Sequence, residues 1–509
     1  MVDNVRLKDI FIGDPDGLSE ARNKYFDTLF YNKNNKYKLL CLDSSKFIIT
    51  GRKGTGKTIL GKYYEKKQNE KGVLSKYIDK EEVLFNQLQA IGNGNIPQKE
   101  RAVFAKYAIL SQIAGVLFEN QKKVVRKGNI IYKIRACSHL IKLRRLLKRE
   151  CIDGFNLKEF SLSSSSTVSG EINKNSSKLG SKIEQDKNKK YEKAPYYQFI
   201  DNIQKIILEL LKNNPVNIII DDLDEYDEKV TNNSDFAKFL SKFIEVSYKL
   251  NIDISKVSRD SKIVLLFRSD LLKLIHSEST NLNKYTVKSI VCLNWLENPN
   301  FVTPFNDSLM DMILNKIRVS CQSFRALDNE KLFSRMFPEK IKGRETLRFL
   351  LNYSHGRPRD IVNMLNVIIE RYGDSNSFTN EMFIETEAEY SRAFTNELKN
   401  ELSLYYDSDY IHDCFHTLSL IHKNNFWLIE AKEVVEHSKS RVPQIDDPEK
   451  MLEILYKFGV IGNMKITSRD ANNRPNDFKY SFGYREDGND IVNFQEKFTV
   501  HFALRKELV

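Results

Sequence analysis

The sequence predicts an α/β protein: a parallel-sheet core with a helical insertion, a helical lid and a C-terminal α+β domain. Three observations predict it. The short apolar runs Lys46–Thr50, Val216–Ile220 and Lys262–Phe267 end at a glycine or a charged residue, as buried parallel strands do. Helical spacing fills the segments between them, and strands alternating with helices argue for a parallel sheet covered on both faces. The first run also leads directly into Gly51-Arg52-Lys53-Gly54-Thr55-Gly56-Lys57-Thr58, after which Ile59, Leu60, Tyr63 and Tyr64 resume helical spacing.

Taken in chain order, residues 1–45 form an N-terminal helical segment. Phe11-Ile12-Gly13-Asp14-Pro15-Asp16 signals a turn, and Leu18 opens an amphipathic helix with Phe26, Leu29 and Phe30 as its stripe. Residues 46–300 form the sheet-containing core, interrupted by a helical insertion at about 72–200. Within the insertion, helices are expected near Gln98–Gln121, over Ile134–Arg149 and over Tyr196–Leu211. The stretch from Ser161 to Lys193 is rich in Ser, Asn and Lys and reads as a mobile loop or long surface hairpin. A helix over Phe236–Leu250 and a late strand over Val287–Leu293 complete the core. Residues 301–375 read as a helical lid, and 376–509 as a linker helix followed by a winged-helix-like domain.

Composition bounds the function. With 41% hydrophobic and 29% charged residues, the 509-residue chain reads as a soluble globular protein of several folding units. No window approaches 18 uninterrupted apolar residues, so neither a transmembrane helix nor a membrane partner is expected. The N-terminus lacks the basic-then-apolar order of a secretory signal. The six cysteines are scattered without a C-x-x-C pair. Cys137 and Cys414 each have a histidine two residues on, without a second ligand pair, so a cytoplasmic home is expected rather than a disulfide or zinc framework. The net charge of +12 fits a nucleic-acid partner, and a compositional bias toward Lys, Asn and Ile explains it equally well.

The octapeptide carries the chemistry. In G-x-x-x-x-G-K-T the glycines let the backbone turn and aim successive N–H groups at phosphate oxygens. The Lys57 ammonium would reach the β- and γ-phosphates, the Thr58 hydroxyl would bind Mg²⁺, and the following helix adds its N-terminal dipole. Val216–Ile220 then delivers Asp221 and Asp222 at a strand's C-terminal end, where open α/β sheets place ligands. By position Asp221 is the metal residue and Asp222 the base that polarises the attacking water, with Asp224 and Glu225 competing for the second role. Arg268 ends the next strand and would sense the γ-phosphate; its competing role is a simple pair with Asp270. In His355-Gly356-Arg357-Pro358-Arg359-Asp360, Pro358 suits a first helical turn. Arg357 or Arg359 would reach from the lid to the phosphates, or both simply flank a cap; His355 is the weakest catalytic candidate.

In this order the P-loop, the Ile-Ile-Ile-Asp-Asp-Leu-Asp run, the strand-end arginine and the Gly-Arg-Pro-Arg helix resemble the P-loop ATPases of the AAA+, KAP and STAND group. The likeness covers residues 10–70 and 200–375, and extends to bacterial ATPases of mobile or antiviral-defence loci through Phe-x-Gly-Asp...Ala-Arg before the loop. It implies Mg²⁺ on Asp221, water activation by Asp222, first-sensor work by Arg268 and lid-sensor work by Arg357 or Arg359. The long gap from Thr58 to Asp221 and the lack of an evident arginine finger depart from that pattern, and leave a homo-oligomer open. With no guanine signature and no effector motif, the expectation is a Mg²⁺-dependent ATP-hydrolysing switch, the regulatory or sensor subunit of a defence-type complex whose effector is a separate protein. The competing expectation is a nucleic-acid-binding protein with slow or no ATP turnover. A phosphotransferase is disfavoured by the paired aspartates and later arginines.

Overall fold

Two strands, Val216–Ile220 (β3) and Lys262–Arg268 (β4), are buried along their whole length. Both of their faces must therefore be covered, which is why their sequences are mainly apolar, with Asn217 and the strand-end Lys262 and Arg268 as the buried exceptions. The computed structural model describes residues 5–79, 101–127, 129–152, 195–221, 223, 234–277, 281–296, 301–469, 475–485 and 491–509. The Ser-rich stretch 161–193, Asp222, Asp224 and Glu225 lie outside the described residues. The chain divides into two compact units: Asn34–Arg52 with Leu60–Leu293, and Met1–Lys33 with Lys53–Ile59 and Asn294–Val509.

In the first of these units a five-stranded sheet runs in the order β2-β3-β4-β1-β5, with every pairing parallel. Its other strands are Ile48–Gly51 (β1), Leu74–Ile78 (β2) and Ile290–Cys292 (β5). The strand period of two splits the side chains between two faces. Ile218, Ile220, Ile263, Leu265 and Phe267 share one apolar cluster with Ala108 and Ile109 of the Arg101–Glu119 helix and Phe239 and Phe243 of the Ser234–Ser255 helix. Alternate residues meet the Lys57–Glu70 helix, because a Cβ on Gly61 would lie 3.2 Å from Leu266, 3.3 Å from Ile219 and 3.0 Å from Tyr77.

Strand β2 falls in the segment read from sequence as insertion. It is a sheet edge, and its Ser75 and Lys76 break the apolar run; Lys76 reaches out to Glu119 at 3.0 Å. The Arg101–Glu119 helix, likewise expected within the insertion, packs directly on β3 and on the Pro195–Leu211 and Ser234–Ser255 helices. By length and mean hydropathy alone it would reach across a membrane, yet 56% of that stretch is buried, with Ala105, Ala108, Ile109 and Leu117 fully enclosed. Strand β4 opens with a buried lysine: Lys262 donates to the carbonyls of Leu40 (2.6 Å) and Asp43 (2.8 Å) at the C-terminal end of the Lys36–Leu42 helix. Burial pushes its pKa down to about 8, against the nearby Cys41 and Asp43.

In the other unit, the N-terminal segment is tied to helices far along the chain. The Leu7 N–H donates to the Ser375 carbonyl at 2.7 Å, the Phe11 N–H to Ser320 Oγ at 2.9 Å, and Lys316 forms a buried ion pair with Glu20. The single helix expected from Leu18 is instead two, Gly17–Ala21 and Phe26–Leu29. Between them Asn23 Oδ1 accepts from the Tyr25 N–H at 2.9 Å, a side-chain turn that competes with continued helix.

Helices then dominate from Ser308–Ser320 to Glu387–Leu402, with the small hairpin Lys340–Ile341 (β6) and Arg344–Glu345 (β7) between them. Lys342 and Gly343 both take positive φ in that hairpin, as a tight two-residue turn requires. Beyond residue 405 come the helix Ser408–Ile421, strand Asn425–Phe426 (β8), helices Leu428–His437 and Pro448–Lys457, and strands Ile461–Arg469 (β9), Pro475–Ser481 (β10) and Lys497–Val500 (β11). These strands form an antiparallel sheet in the order β10-β9-β11-β8.

Two glycines test the helix packing. Gly61→Val, with neighbours on three sides, is expected to lower stability by about 1–3 kcal/mol. Gly115→Ala, with nothing within 4 Å of the added carbon, is expected to raise it by about 0.5–1 kcal/mol. Thermal melts of the two variants check both signs.

Candidate functional site

The octapeptide links the end of β1 to the Lys57–Glu70 helix. Two of its glycines take the left-handed conformation, Gly54 with φ +80° and Gly56 with φ +91°. A side chain at either position would be strained. A Cβ on Gly54 would lie 2.9 Å from Arg359 Cβ, whereas Gly56 has open space around it.

Lys53–Ile59 belongs to the helical unit and is held within it by two hydrogen bonds. The Trp295 indole N–H donates to the Thr55 carbonyl at 3.0 Å, and the Arg359 backbone N–H donates to the Gly54 carbonyl at 3.3 Å. Gly17 also packs here, since a Cβ on it would lie 3.2 Å from both Thr58 and Ile59. Thr55 is buried, whereas Lys53, Lys57 and Thr58 are part-exposed at the turn into the helix. An α-helix leaves its first N–H groups without intrahelical acceptors, so this end is suited to an anion.

Asp221, just past β3, is 3% exposed. Its N–H donates to the Ile78 carbonyl at 3.1 Å, and its carboxylate accepts a hydrogen bond from the Tyr77 hydroxyl. Arg268 ends β4 directly across the pairing from Gly51. Its guanidinium bonds Asp270 in a fork, at 3.1 Å from Nε and 2.6 Å from Nη2, which is the pairing that competes with its sensor role. Asp222 lies outside the described residues. Among the described residues no group of three or more His, Cys, Asp or Glu side chains is arranged to hold a metal ion.

The Gly-Arg-Pro-Arg segment separates its two arginines. Arg357 is 1% exposed, with Nε and Nη2 on Asp360 at 2.9 Å each and Nη1 on Glu401 at 2.5 Å. Burial alone would lower its pKa, but these two carboxylates outweigh it and hold the value well above the ordinary range. Arg359 instead reaches the Pro15 carbonyl through Nε at 3.0 Å and Glu397 through Nη1 at 3.2 Å. The same Glu397 oxygen lies 3.2 Å from Lys53 Nζ, so one carboxylate bridges a loop cation and a helix cation.

His355 is a core residue. It stacks on Tyr484 with ring centroids 4.2 Å apart, meets Phe394 edge-on at 5.0 Å, and places Nε2 3.3 Å from the Gly459 carbonyl. Its neighbour His501 is enclosed, and burial together with Arg485 and Arg505 pushes its pKa well below the usual value.

Several residues at the site escaped sequence reasoning. Glu397 and Glu401 sit four apart on one helix and meet Arg359 and Arg357, two apart on another. Their spacing is a usable signal, but only once the two helices are known to pair. Trp295 and Tyr77 carried no signal. Asp360, three residues after Arg357, did.

The buried and part-exposed arginines should respond differently to truncation. Arg357→Ala leaves two buried carboxylates without their cation and is expected to cost about 3–5 kcal/mol. Arg359→Ala is expected to cost under about 1 kcal/mol. Denaturant melts of both variants decide. Among known proteins, residues 307–399 match the FunZ-associated C-terminal helical domain. No curated protein matches the chain. The matched stretch runs from the cap of the Ser308–Ser320 helix into the Glu387–Leu402 helix, and so contains Arg357, Arg359 and Glu397.

Proposed function

We propose that the protein is an ATP-binding switch that hydrolyses ATP with Mg²⁺ and acts as the regulatory or sensor subunit of a defence-type complex. The observation that carries this reading is the loop: Gly54 and Gly56 take left-handed backbone between a buried parallel strand and a helix that opens on Lys57 and Thr58. Backbone N–H groups and a lysine ammonium are the groups that cradle a triphosphate. The sheet order supports hydrolysis, because Asp221 stands at the ligand-binding end of a parallel strand, one strand removed from the loop-bearing β1. The match of residues 307–399 to a FunZ-associated domain fits a defence-linked or mobile-element-linked setting.

The hydroxyl of Thr58 and the carboxylate of Asp221 are hard oxygen donors of the kind Mg²⁺ takes alongside phosphates and water. Held by such donors, Mg²⁺ would neutralise charge on the phosphates. On the sequence pattern, Lys57 would serve the terminal phosphates, Asp222 the attacking water, and Arg268, released from Asp270, the γ-phosphate.

Of the two arginines in the Gly-Arg-Pro-Arg segment, the geometry favours Arg359 as the lid sensor, because it adjoins Gly54 whereas Arg357 is enclosed by Asp360 and Glu401. Glu397, bridging Lys53 and Arg359, occupies the place of an anion and competes with phosphate for both cations.

The tail's order of helix, strand, two helices and hairpin supports the winged-helix-like reading. A regulatory role fits it better than DNA binding. The Pro448–Lys457 helix balances Glu449 and Glu453 against Lys450 and Lys457 and is preceded by Asp446 and Asp447, so it offers no net positive charge, whereas Tyr484 and Gly459 pack on His355 beside the sensor segment.

Calorimetric titration with Mg-ATP, paired with phosphate release, tests the proposal. Wild type is expected to bind and hydrolyse ATP, Lys57→Ala to lose binding, and Asp221→Asn to bind but hydrolyse at least about tenfold more slowly. Glu397→Gln is expected to tighten ATP binding about fivefold, equivalent to about 1 kcal/mol. Lys57→Ala binding ATP as wild type does would overturn the reading.

A further inference from the structure

The net charge of +12 is not spread evenly. Residues 121–149 hold eleven Lys or Arg and no Asp or Glu. They form the helices Gln121–Arg126 and Ile130–Ile152. Elsewhere lysines commonly pair with carboxylates, as Lys106 does with Asp201 and Lys249 with Glu245. Among the described residues, no cation between Lys122 and Arg145 forms an ion pair; Arg144 bonds the neutral Gln121 and lies over the Phe118 ring.

The longer helix has two apolar faces. Ala136, Leu140 and Leu143 are buried in the core of their unit. A separate face, about 120° round the helix, carries Ile130, Ile134 and Ile141, 74%, 66% and 54% exposed, in line with the exposed Cys137. Their spacing of four, three and four residues makes one stripe about 16 Å long. On the same helical geometry Lys133 and Arg144 flank the stripe on one side, and Arg135 and Lys142 on the other.

We propose that this face docks on the surface of an anionic lipid bilayer, the isoleucines entering the headgroup boundary and the flanking cations meeting lipid phosphates. Charge alone would suit any polyanion. The isoleucine stripe selects among them, because nucleic-acid phosphates offer nothing to a row of branched apolar side chains, whereas a bilayer offers an apolar layer directly beneath its charge. A second copy of this chain is disfavoured, since two faces of the same sign repel. The inner face of the helix is already packed in the core, so the helix lies along the membrane rather than crossing it. The sequence alone led to the expectation of no membrane partner; the proposal departs from it on the exposure of this stripe, which only the fold reveals.

Co-sedimentation of the full-length protein with phosphatidylcholine vesicles, with and without phosphatidylglycerol, tests the proposal. Binding is expected only to the anionic vesicles, and is expected to weaken as salt rises. Ile134→Ser combined with Ile141→Ser keeps every charge and removes part of the stripe. It is expected to weaken vesicle binding at least about tenfold while leaving the melting temperature unchanged. Absence of binding to anionic vesicles would contradict the proposal. So would vesicle binding that the double variant retains in full and that duplex DNA displaces, which would assign the face to nucleic acid.

Discussion

One buried cation sets the geometry of the helical unit. Arg357 is enclosed and bonded to Asp360 of its own helix and Glu401 of another, which fixes where the Pro358–Tyr372 helix begins and which helix it meets. Desolvating a guanidinium is expensive, and only paired, hydrogen-bonded partners offset that expense. With Arg357 anchored, Arg359 two residues on is carried to the Gly54 carbonyl, and Glu397 one turn before Glu401 is carried to Arg359 and Lys53. His355, two residues before, is packed on Tyr484. The five residues His355–Arg359 thus run from the packing on Tyr484 to the contact with Gly54, with one ion network at Arg357 between them.

That arrangement gives the proposed switch a physical basis. A switch needs an element that two states contact differently. Glu397 is such an element, because its carboxylate is placed where added negative charge on Lys53 and Arg359 would compete with it. The helix that carries Glu397 also carries Glu401, so displacement of the first would be felt by a residue pinned to the second. The bridge is part-exposed and weak enough to be broken, whereas the Arg357 network is enclosed and persists.

What could be read from sequence followed from burial. Strands β1, β3 and β4 were legible because they are buried throughout and mainly apolar; β2 was not, because an edge strand tolerates Ser75 and Lys76. The helix expected from Leu18 failed at Asn23, whose side chain captures the next turn. The loop and the aspartate after β3 were legible as local patterns. Arg357 and Arg359 were indistinguishable in sequence, since their difference lies in Glu401 and Glu397, some forty residues away. The helix over Ile134–Arg149 was legible in sequence, but its outward isoleucines became meaningful only when Ala136, Leu140 and Leu143 were found to face the core.

The claim that nucleotide occupies the loop and releases Glu397 is tested most directly by amide hydrogen exchange with and without saturating Mg-ATP. Slower exchange across Gly51–Thr58, with a simultaneous change along the Glu387–Leu402 helix, is the predicted result. Identical exchange in both regions, with and without nucleotide, would contradict it.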